Sequence, residues 1–129
     1  MASTARDLRP DLPEPIERAL SAMRDHDWAA LAEVVHPDVV WHLMGSPGFS
    51  MRGRESYLWR VRLGGMGCRK PGTVLRAQET FNGRHILELE DAAGARVLDI
   101  IRLEHDLIRE EWEMVLEGPR QQSIADAAR

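Results

Sequence analysis

Cysteine is almost absent from this sequence. Cys68 is the only one in 129 residues, so no disulfide can close within the chain and no cysteine-based zinc site can form. The five histidines show neither an H-x-H nor an H-E-x-x-H spacing, the usual local signatures of a metal site. The sequence therefore excludes a disulfide scaffold, and we expect neither a metal ion nor another cofactor.

Excess positive charge and long apolar runs are also missing. Lys70 is the only lysine, the net charge is −4, and no basic stripe is present, which argues against nucleic acid as a partner. No apolar run approaches the roughly 18 residues that span a bilayer, so we expect no membrane partner. The opening residues, MASTARDLRPDLPEP, lack the apolar core of a signal peptide. The expected location is the cytoplasm.

The composition is that of one globular domain. Hydrophobic residues make up 43% of the chain and charged residues 29%, which is too apolar for a disordered protein. Residues 1–12 are polar and contain Pro10, which predicts a flexible N-terminal arm. Residues 13–117 form the predicted domain, and residues 118–129 form a polar tail.

Three helices are predicted, two of them before any strand. From Glu14 onward, apolar residues recur at helical spacing, at Ile16, Ala19, Leu20 and Met23. Asp27 is a good N-cap for a second helix over residues 28–35, which His36-Pro37-Asp38 ends, since the residue before a proline disfavours the helical region. A third helix fits residues 54–63.

Five β-rich segments follow the first two helices: residues 39–44, 73–81, 85–90, 96–104 and 107–116. The turn Asn82-Gly83 between two of them is a strong hairpin signal. Helices at the start and a long antiparallel meander at the end predict an α+β fold. We expect a curved sheet that wraps over the helices and forms a cone.

Strand alternation assigns the side chains of residues 96–104 to two faces. Asp99 falls on the apolar face, together with Val97, Ile101 and Leu103. A carboxylate on a buried face must be hydrogen-bonded, paired or protonated, because burying a bare charge costs several kcal/mol or more. Asp99 is therefore either a catalytic group or a structural acid that satisfies loop amides or an arginine.

His85 can be brought near Asp99. If residues 92–94 form a three-residue hairpin loop, Leu87 lies opposite Asp99 and His85 lies opposite Ile101. His85 is then diagonal to Asp99, at roughly 7–8 Å, within reach of long side chains. An Asp–His pair in an apolar cup is a plausible acid/base unit, although a lone histidine on a strand face is more often a satisfied core residue.

An apolar, aromatic pocket is predicted inside the cone. Alternation on residues 107–116 places Trp112 and Met114 inward and Glu111 and Glu113 outward, and on residues 39–44 it places His42 outward. Few polar groups remain, as expected for a small hydrophobic ligand, although such residues are also common in ordinary cores. The expected pocket walls are Trp41, Leu43, Tyr57, Trp112, Met114 and Met23.

Three segments carry a resemblance to a known superfamily. DHDWAALAEVVHPDVVW, GSPGFSMRGRE and VLDIIRLEHDLIREEWEMV resemble, in turn, a helix-to-strand segment, a loop that opens the third helix, and a closing hairpin. All three are typical of the nuclear-transport-factor-2-like (NTF2-like) superfamily, and within it of the SnoaL-like proteins. The resemblance covers residues 15–115 and implies a cone-shaped fold, which hosts isomerases, cyclases, dehydratases, epoxide hydrolases and non-enzymatic binders.

Residue by residue, the resemblance favours some of these chemistries over others. The hydrogen-bond-donating Asp of the ketosteroid isomerases falls on Asp99, but their general base falls on Leu43 and their tyrosine near Ala19. The Arg between two acids of the limonene-type epoxide hydrolases has no counterpart near Ile86, Glu88 and Glu113. Polyketide cyclases of the SnoaL type use an inner-face acid with a nearby His, and Asp99 with His85 resembles that chemistry in type.

The leading hypothesis is a small cofactor-independent enzyme. It would bind a hydrophobic, polyketide- or terpenoid-like molecule and catalyse acid/base cyclisation, isomerisation or dehydration with Asp99 and His85. One alternative is a non-catalytic ligand-binding or dimerisation domain of the same fold, and another is a limonene-type epoxide hydrolase. A homodimer is expected in either case, because the apolar residues Leu98, Ile100 and Val115 are assigned to the outer sheet face.

Overall fold

A computed structural model describes residues 11–45, 47–63, 71–91 and 93–117 of the chain. Of the predicted N-terminal arm, Asp11 and Leu12 are described, and Leu12 packs against the core. The predicted polar tail, residues 118–129, and Cys68 lie outside the described residues. None of the helices in the described ranges is long and apolar enough to cross a membrane.

Three helices form, and their ends follow local rules. They are α1 (Glu14–Asp25), α2 (Trp28–Glu33) and α3 (Arg54–Leu63). α1 ends at His26, whose left-handed backbone turns its N–H back onto the carbonyls of Ala22 and Met23. The side chain of Asp27 accepts the backbone N–H of Ala30 and caps α2. The middle helix has only six residues, two fewer than predicted, because Val35 already begins a strand.

Six strands form one curved, unclosed sheet. They are β1 (Val35–Met44), β2 (Phe49–Arg52), β3 (Pro71–Glu79), β4 (Arg84–Asp91), β5 (Arg96–Glu104) and β6 (Leu107–Glu117). Their order is β2-β1-β6-β5-β4-β3, and only the β1–β6 pair is parallel. The α+β class and the mixed, mostly antiparallel sheet agree with the sequence-based prediction. Strand β2 was not predicted, since its residues lie in the segment expected to be a loop. Helix α3 comes after β1 and β2 in the chain, so only α1 and α2 are N-terminal helices.

The core lies between the inner face of the sheet and the helices. Ile16 and Leu31 are fully buried and come from α1 and α2, and Trp41 and Leu87 meet them from the sheet. Burying one such side chain contributes about 1.5–3 kcal/mol. This packing fixes which face of each strand is enclosed.

The pairing of β4 with β5 has the predicted register. Leu87 lies opposite Asp99 and His85 lies opposite Ile101. Gly94 in the connecting loop has a φ of 89°, a left-handed conformation that glycine adopts without strain. Asp99 consequently lies on the enclosed face, where it is only 7% exposed.

The pairing of β5 with β6 contains a β-bulge that the sequence analysis did not anticipate. Arg102 lies opposite Glu110 and Leu103 opposite Ile108, so Arg109 is an extra residue with no partner on β5. Beyond the bulge, the faces of β6 are reversed relative to simple alternation from Ile108. The outward placement of Glu111 and Glu113 and the inward placement of Trp112 and Met114 were therefore wrong.

Candidate active site

A cavity of about 60 Å³ lies between the helices and the inner face of the sheet. Most of its wall is apolar, and the side chains of α1, α3 and β1 that contribute to it include Ile16, Leu20, Met23, Trp41, Tyr57 and Val61. The sheet contributes four acidic residues, Asp91, Asp99, Glu111 and Glu113. The site therefore combines an apolar chamber with an acidic floor.

Three of these acids form a compact group, here called the carboxyl triad: Asp99, Glu111 and Glu113. Asp99 lies directly opposite Glu113 in the β5–β6 pair, and Glu111 is two residues away on the same face. One carboxyl oxygen from each residue lies within 4.8 Å of the other two. All three residues are buried, with 5–7% of their surface exposed.

Tyr57 connects helix α3 to the triad. Its hydroxyl donates a hydrogen bond of 2.8 Å to Oε1 of Glu111. Gly53, with a φ of 94°, precedes α3 and accepts the backbone N–H of Tyr57. The first turn of α3 thereby directs the tyrosine ring into the core, where it is 2% exposed.

The carboxyl groups of Asp99 and Glu111 are close enough to influence each other's ionisation. Burial raises the pKa of Asp99 well above its ordinary value, and the charges of Glu111 and Glu113 and a hydrogen bond to Glu111 raise it further. Burial also raises the pKa of Glu111, but the hydrogen bonds from Asp99 and Tyr57 lower it. Because the charge of Glu111 raises the pKa of both Asp99 and Glu113, Glu111 is the member of the triad that ionises first.

Glu113 is the second neutral acid. Burial raises its pKa to about 8, and the charge of Glu111 contributes in the same direction. The indole N–H of Trp41 acts in the opposite direction, but this contact falls short of hydrogen-bond geometry, so its effect is electrostatic and small. At pH 7 Glu113 is therefore mostly protonated.

The fourth acid, Asp91, has a structural role at the end of β4. Its Oδ1 accepts the backbone N–H groups of Ala93 and Ala95 at 2.9 and 2.8 Å. These contacts close the β4–β5 loop in the manner of an Asx turn. Capping by loop amides was the structural alternative considered for Asp99, and the structure assigns it to Asp91.

Several residues predicted to form the pocket lie where they were expected. Asp99, Trp41, Tyr57 and Met23 line the cavity. Leu43 lies on the inner face and belongs to the core, but it does not reach the cavity wall.

Trp112 and Met114 do not line the cavity, which corrects the sequence-based assignment. The bulge at Arg109 turns both side chains to the outer face. There Trp112 stacks on His42, with ring centroids 5.5 Å apart, and Met114 is 38% exposed. His42 points outward as predicted and lies 2.7 Å from Glu110.

His85 occupies a different cavity from Asp99. It is only partly buried and lines a shallow cleft together with Leu12, Pro13 and Glu79. No hydrogen bond or ion pair joins His85 to Asp99 within the described structure. The carboxyl partners of Asp99 are Glu111 and Glu113 of β6.

The two glutamates are functional candidates that strand alternation missed. The segment IREEWEM reads as regular alternation from Ile108, and an extra residue has no signature within the strand itself. One signal was available: Arg102, an outward residue on β5, faces Glu110 with an ion pair of 3.3 Å. Pairing those opposite charges across the hairpin would have placed Glu111 and Glu113 inside.

The triad also has the donor chemistry of a cation site. Three carboxyl oxygens within 4.8 Å of one another can contact one metal ion, and hard divalent cations prefer oxygen ligands. Metal binding would first have to remove the protons of Asp99 and Glu113. The remaining wall adds few oxygen ligands, so the donor set is incomplete for Ca²⁺, which takes six to eight.

Comparison with known proteins identifies the fold. No family model and no curated protein matches the sequence. An NTF2-like protein of unknown function from Burkholderia xenovorans is 18% identical, with 86% of this chain and 89% of that chain covered and a TM-score of 0.65. A proposed polyketide cyclase from Sinorhizobium meliloti is 16% identical, with coverages of 80% and 95% and a TM-score of 0.66.

A proposed ketosteroid isomerase from Kribbella flavida is a further structural neighbour. It is 17% identical, with 85% of this chain and 84% of that chain covered and a TM-score of 0.61. The three neighbours have different or unknown functions, so the likeness establishes the fold and leaves the chemistry to the residues of the site.

Proposed function

We propose that this chain, which has the NTF2-like fold of the SnoaL-like proteins, is a cofactor-independent enzyme that moves a proton on a hydrophobic small molecule. The observation that supports the proposal is the carboxyl triad, because it holds a base and two acids at one cavity wall. Separate protonation states in neighbouring carboxyl groups are the usual basis of acid/base chemistry near pH 7.

In the proposed reaction, Glu111 is the general base and Glu113 is the general acid. Glu111 takes a proton from a carbon next to a carbonyl group, the C–H electron pair forms a carbon–carbon double bond, and the carbonyl oxygen takes the proton of Glu113. Protonation of Glu111 removes a negative charge that raises the pKa of Glu113. Each transfer therefore favours the next.

Asp99 and Tyr57 position the base in this proposal. Both donate hydrogen bonds to Glu111, which keeps it ionised in an apolar chamber. Proton return to a different carbon gives isomerisation, attack of the enol on a second carbonyl gives cyclisation, and loss of a hydroxyl group gives dehydration. His85, predicted as the partner of Asp99, has no part in this scheme.

The cavity limits what can react there. A volume of about 60 Å³ corresponds to only a few water molecules, so the chamber accepts the reacting end of a polyketide- or terpenoid-like molecule rather than its whole body. Epoxide opening of the limonene type has less support. Although Glu113 lies inside, no arginine is present among the described residues that line the cavity.

Hydrogen–deuterium exchange tests the proposal without knowledge of the natural substrate. Small cyclic ketones are incubated with the protein in D₂O, and loss of the proton signal next to the carbonyl is followed by NMR. We expect exchange above the buffer rate, reduced by about 10²–10⁴-fold in Glu111→Gln, the usual contribution of a general base.

The matched control is Glu88→Gln, since Glu88 lies on the outer face in ion pairs with Arg76 and Arg96. This variant should exchange protons at the wild-type rate. Specific binding of a ketone with exchange at the buffer rate would instead support a non-catalytic ligand-binding domain.

A further inference from the structure

Among the described residues, the carboxyl triad has no ion pair with a basic side chain, unlike two acids on the outer face of the sheet. On the outer face, Glu88 pairs with two arginines, and Glu110 pairs with His42 and Arg102. By contrast, the described residues that line the cavity include no lysine, arginine or histidine. The chain places its counter-charges on the outside of the sheet and leaves the inner acids without them.

Two buried oxygens of the triad have no hydrogen-bond partner. They are Oδ1 of Asp99 and Oε2 of Glu113, and their residues are 7% and 6% exposed and line the cavity. Buried polar atoms are normally hydrogen-bonded. Once Glu113 is ionised, two acceptor oxygens on one cavity wall match a ligand that carries several N–H donors.

The cavity wall also includes two aromatic rings next to the triad. Trp41 and Tyr57 both line the cavity, and their rings lie nearly perpendicular, at 81° with centroids 6.4 Å apart. A cation over the face of a Trp or Tyr ring is attracted by the ring quadrupole, most strongly where water is excluded. Acidic oxygens and aromatic rings around one small chamber both favour positive charge.

We propose that the ligand of this cavity carries a positively charged nitrogen, a primary or secondary ammonium on a small apolar body. The inference depends on the proposed function only in taking the cavity as the ligand site. The ammonium would donate to Asp99 and Glu113, and its apolar body would contact the side chains of α1. A bare divalent cation fits less well, because the wall around the triad is mostly apolar and aromatic.

Such a ligand would release a proton when it binds. A positive charge beside the triad favours the ionised form of Glu113, whose pKa of about 8 keeps it neutral at pH 7. The other titratable groups that line the cavity are Asp91 on β4, Asp99 on β5, Glu111 on β6 and Tyr57 on α3. A neutral ligand of the same shape would release no proton.

The test compares three probes that share an isobutyl group, on the full chain: isobutylammonium, isobutanol and isovalerate. Binding is followed by the NMR shift of the Trp41 indole N–H, and proton release by calorimetry in buffers with different ionisation enthalpies. We expect isobutylammonium to bind at least tenfold more tightly than isobutanol at pH 7, and isovalerate to bind more weakly than either. The affinity for isobutylammonium should rise up to tenfold per pH unit between pH 6 and pH 8.

Glu113→Gln should abolish most of the pH dependence of isobutylammonium binding. If this variant folds poorly, Asp99→Asn is tested in its place. Glu88→Gln is the matched control and should leave the affinity unchanged. The inference would be overturned by equal affinities for isobutanol and isobutylammonium or by the absence of isobutylammonium binding. Displacement of isobutylammonium by Mg²⁺ or Ca²⁺ alone at low concentration would also overturn it.

The result is separable from that of the exchange experiment. Tight ammonium binding with exchange at the buffer rate would retain this inference and reject the proposed enzyme. Ketone exchange without ammonium binding would retain the proposed enzyme and reject this inference.

Discussion

Glu113 shows how a single residue acquires a property that its type does not have. In water its carboxyl group would be ionised at pH 7. In the protein it lies beside Asp99, Leu43 and an apolar chamber, and its pKa of about 8 keeps it protonated at pH 7. The energy for this shift comes from the folding of the rest of the chain. The site therefore lowers the stability of the folded chain while it provides a carboxyl group that can transfer a proton near pH 7.

Replacing Glu113 by Gln should change how stability depends on pH. In the unfolded chain Glu113 ionises near its ordinary pKa of 4.5, whereas in the folded chain it ionises near 8. Its contribution is fully present below pH 4.5 and is lost as the pH rises to 8, at about 1.4 kcal/mol per pH unit. We expect urea unfolding of Glu113→Gln to show a flatter decline over this range and greater stability than wild type at pH 8.

Conservative replacement of Glu90 by Gln provides the control, since Glu90 lies on the outer face beside Arg96. That variant should keep the wild-type decline between pH 5 and pH 8. The same decline in Glu113→Gln would mean that Glu113 is ionised in the native protein.

Tyr57→Phe should reduce the ionised fraction of Glu111 without emptying the core. Loss of the hydroxyl removes a hydrogen bond to Glu111, and a bond to a charged group contributes about 1.5–3 kcal/mol. The pKa of Glu111 then rises, so less of it is ionised at pH 7. We expect the ketone exchange rate to fall about tenfold or more at pH 7 and to recover partly as the pH is raised, with an unchanged profile taken as evidence against Glu111 as the base.

At the scale of elements, the bulge in β6 decides the character of the cavity. Arg109 is an extra residue between two regular stretches of pairing. Its guanidinium donates to the carbonyl of Asp38 on β1, and the neighbouring N–H of Ile108 donates to the carbonyl of Val34. The extra residue therefore lies near the start of β6, where this strand pairs with β5 on one side and with the parallel strand β1 on the other.

Deletion of Arg109 should regularise the hairpin without moving the triad. Ile108 would then be followed directly by Glu110, and plain alternation would keep Glu111 and Glu113 inside. We expect a folded variant, with a stability loss of about 1 kcal/mol from the missing hydrogen bond, in which the pKa of Glu113 measured by carbon-detected NMR stays high. A normal pKa, with Trp112 transferred to the cavity in its fluorescence, would contradict the assignment of the bulge.

The β4–β5 hairpin provides a second test at this scale. Asp91→Ala should remove two hydrogen bonds to loop amides and lower stability by about 1–3 kcal/mol in thermal unfolding. Asp91→Asn keeps the accepting oxygen and should remain close to wild type. Equal losses in both variants would show that the charge of Asp91, rather than its caps, stabilises the loop.

For the whole molecule, the outer face of the sheet presents several exposed apolar side chains. Met44, Met114 and Leu116 are 38–49% exposed, next to Leu98 and Ile100 of β5. Val115, predicted to lie on this face, pairs with the inward residue Val97 and so shares the inner face. Contiguous apolar surface of this kind favours association, and a homodimer through this face remains our prediction.

Sedimentation velocity of Met114→Glu tests this prediction. We expect wild type to sediment as a dimer at micromolar concentration and Met114→Glu to sediment as a monomer, because the substitution buries a charge in the interface. Phe81→Glu is the matched control, since Phe81 is fully exposed in the β3–β4 turn. A monomeric wild type at all concentrations would show that the face is solvated.

The sequence by itself determined the elements and much of the fold. Helical spacing located α1, the turn signals located the hairpins, and alternation placed Asp99 inside with the correct partner Leu87. These features depend on residues that are close in the chain, so a local pattern is enough to predict them. Resemblance to the NTF2-like proteins added the cone shape.

Only the tertiary structure decided what the cavity contains. The extra residue Arg109 is fixed by pairing with β5 and with β1, and β1 is distant in sequence. It places two glutamates on the inner face, where simple alternation had placed a tryptophan and a methionine. The same contacts set the protonation of the triad, because desolvation and neighbouring charge are properties of the folded environment. A side chain's type is encoded locally, but its surroundings are assembled from the whole chain.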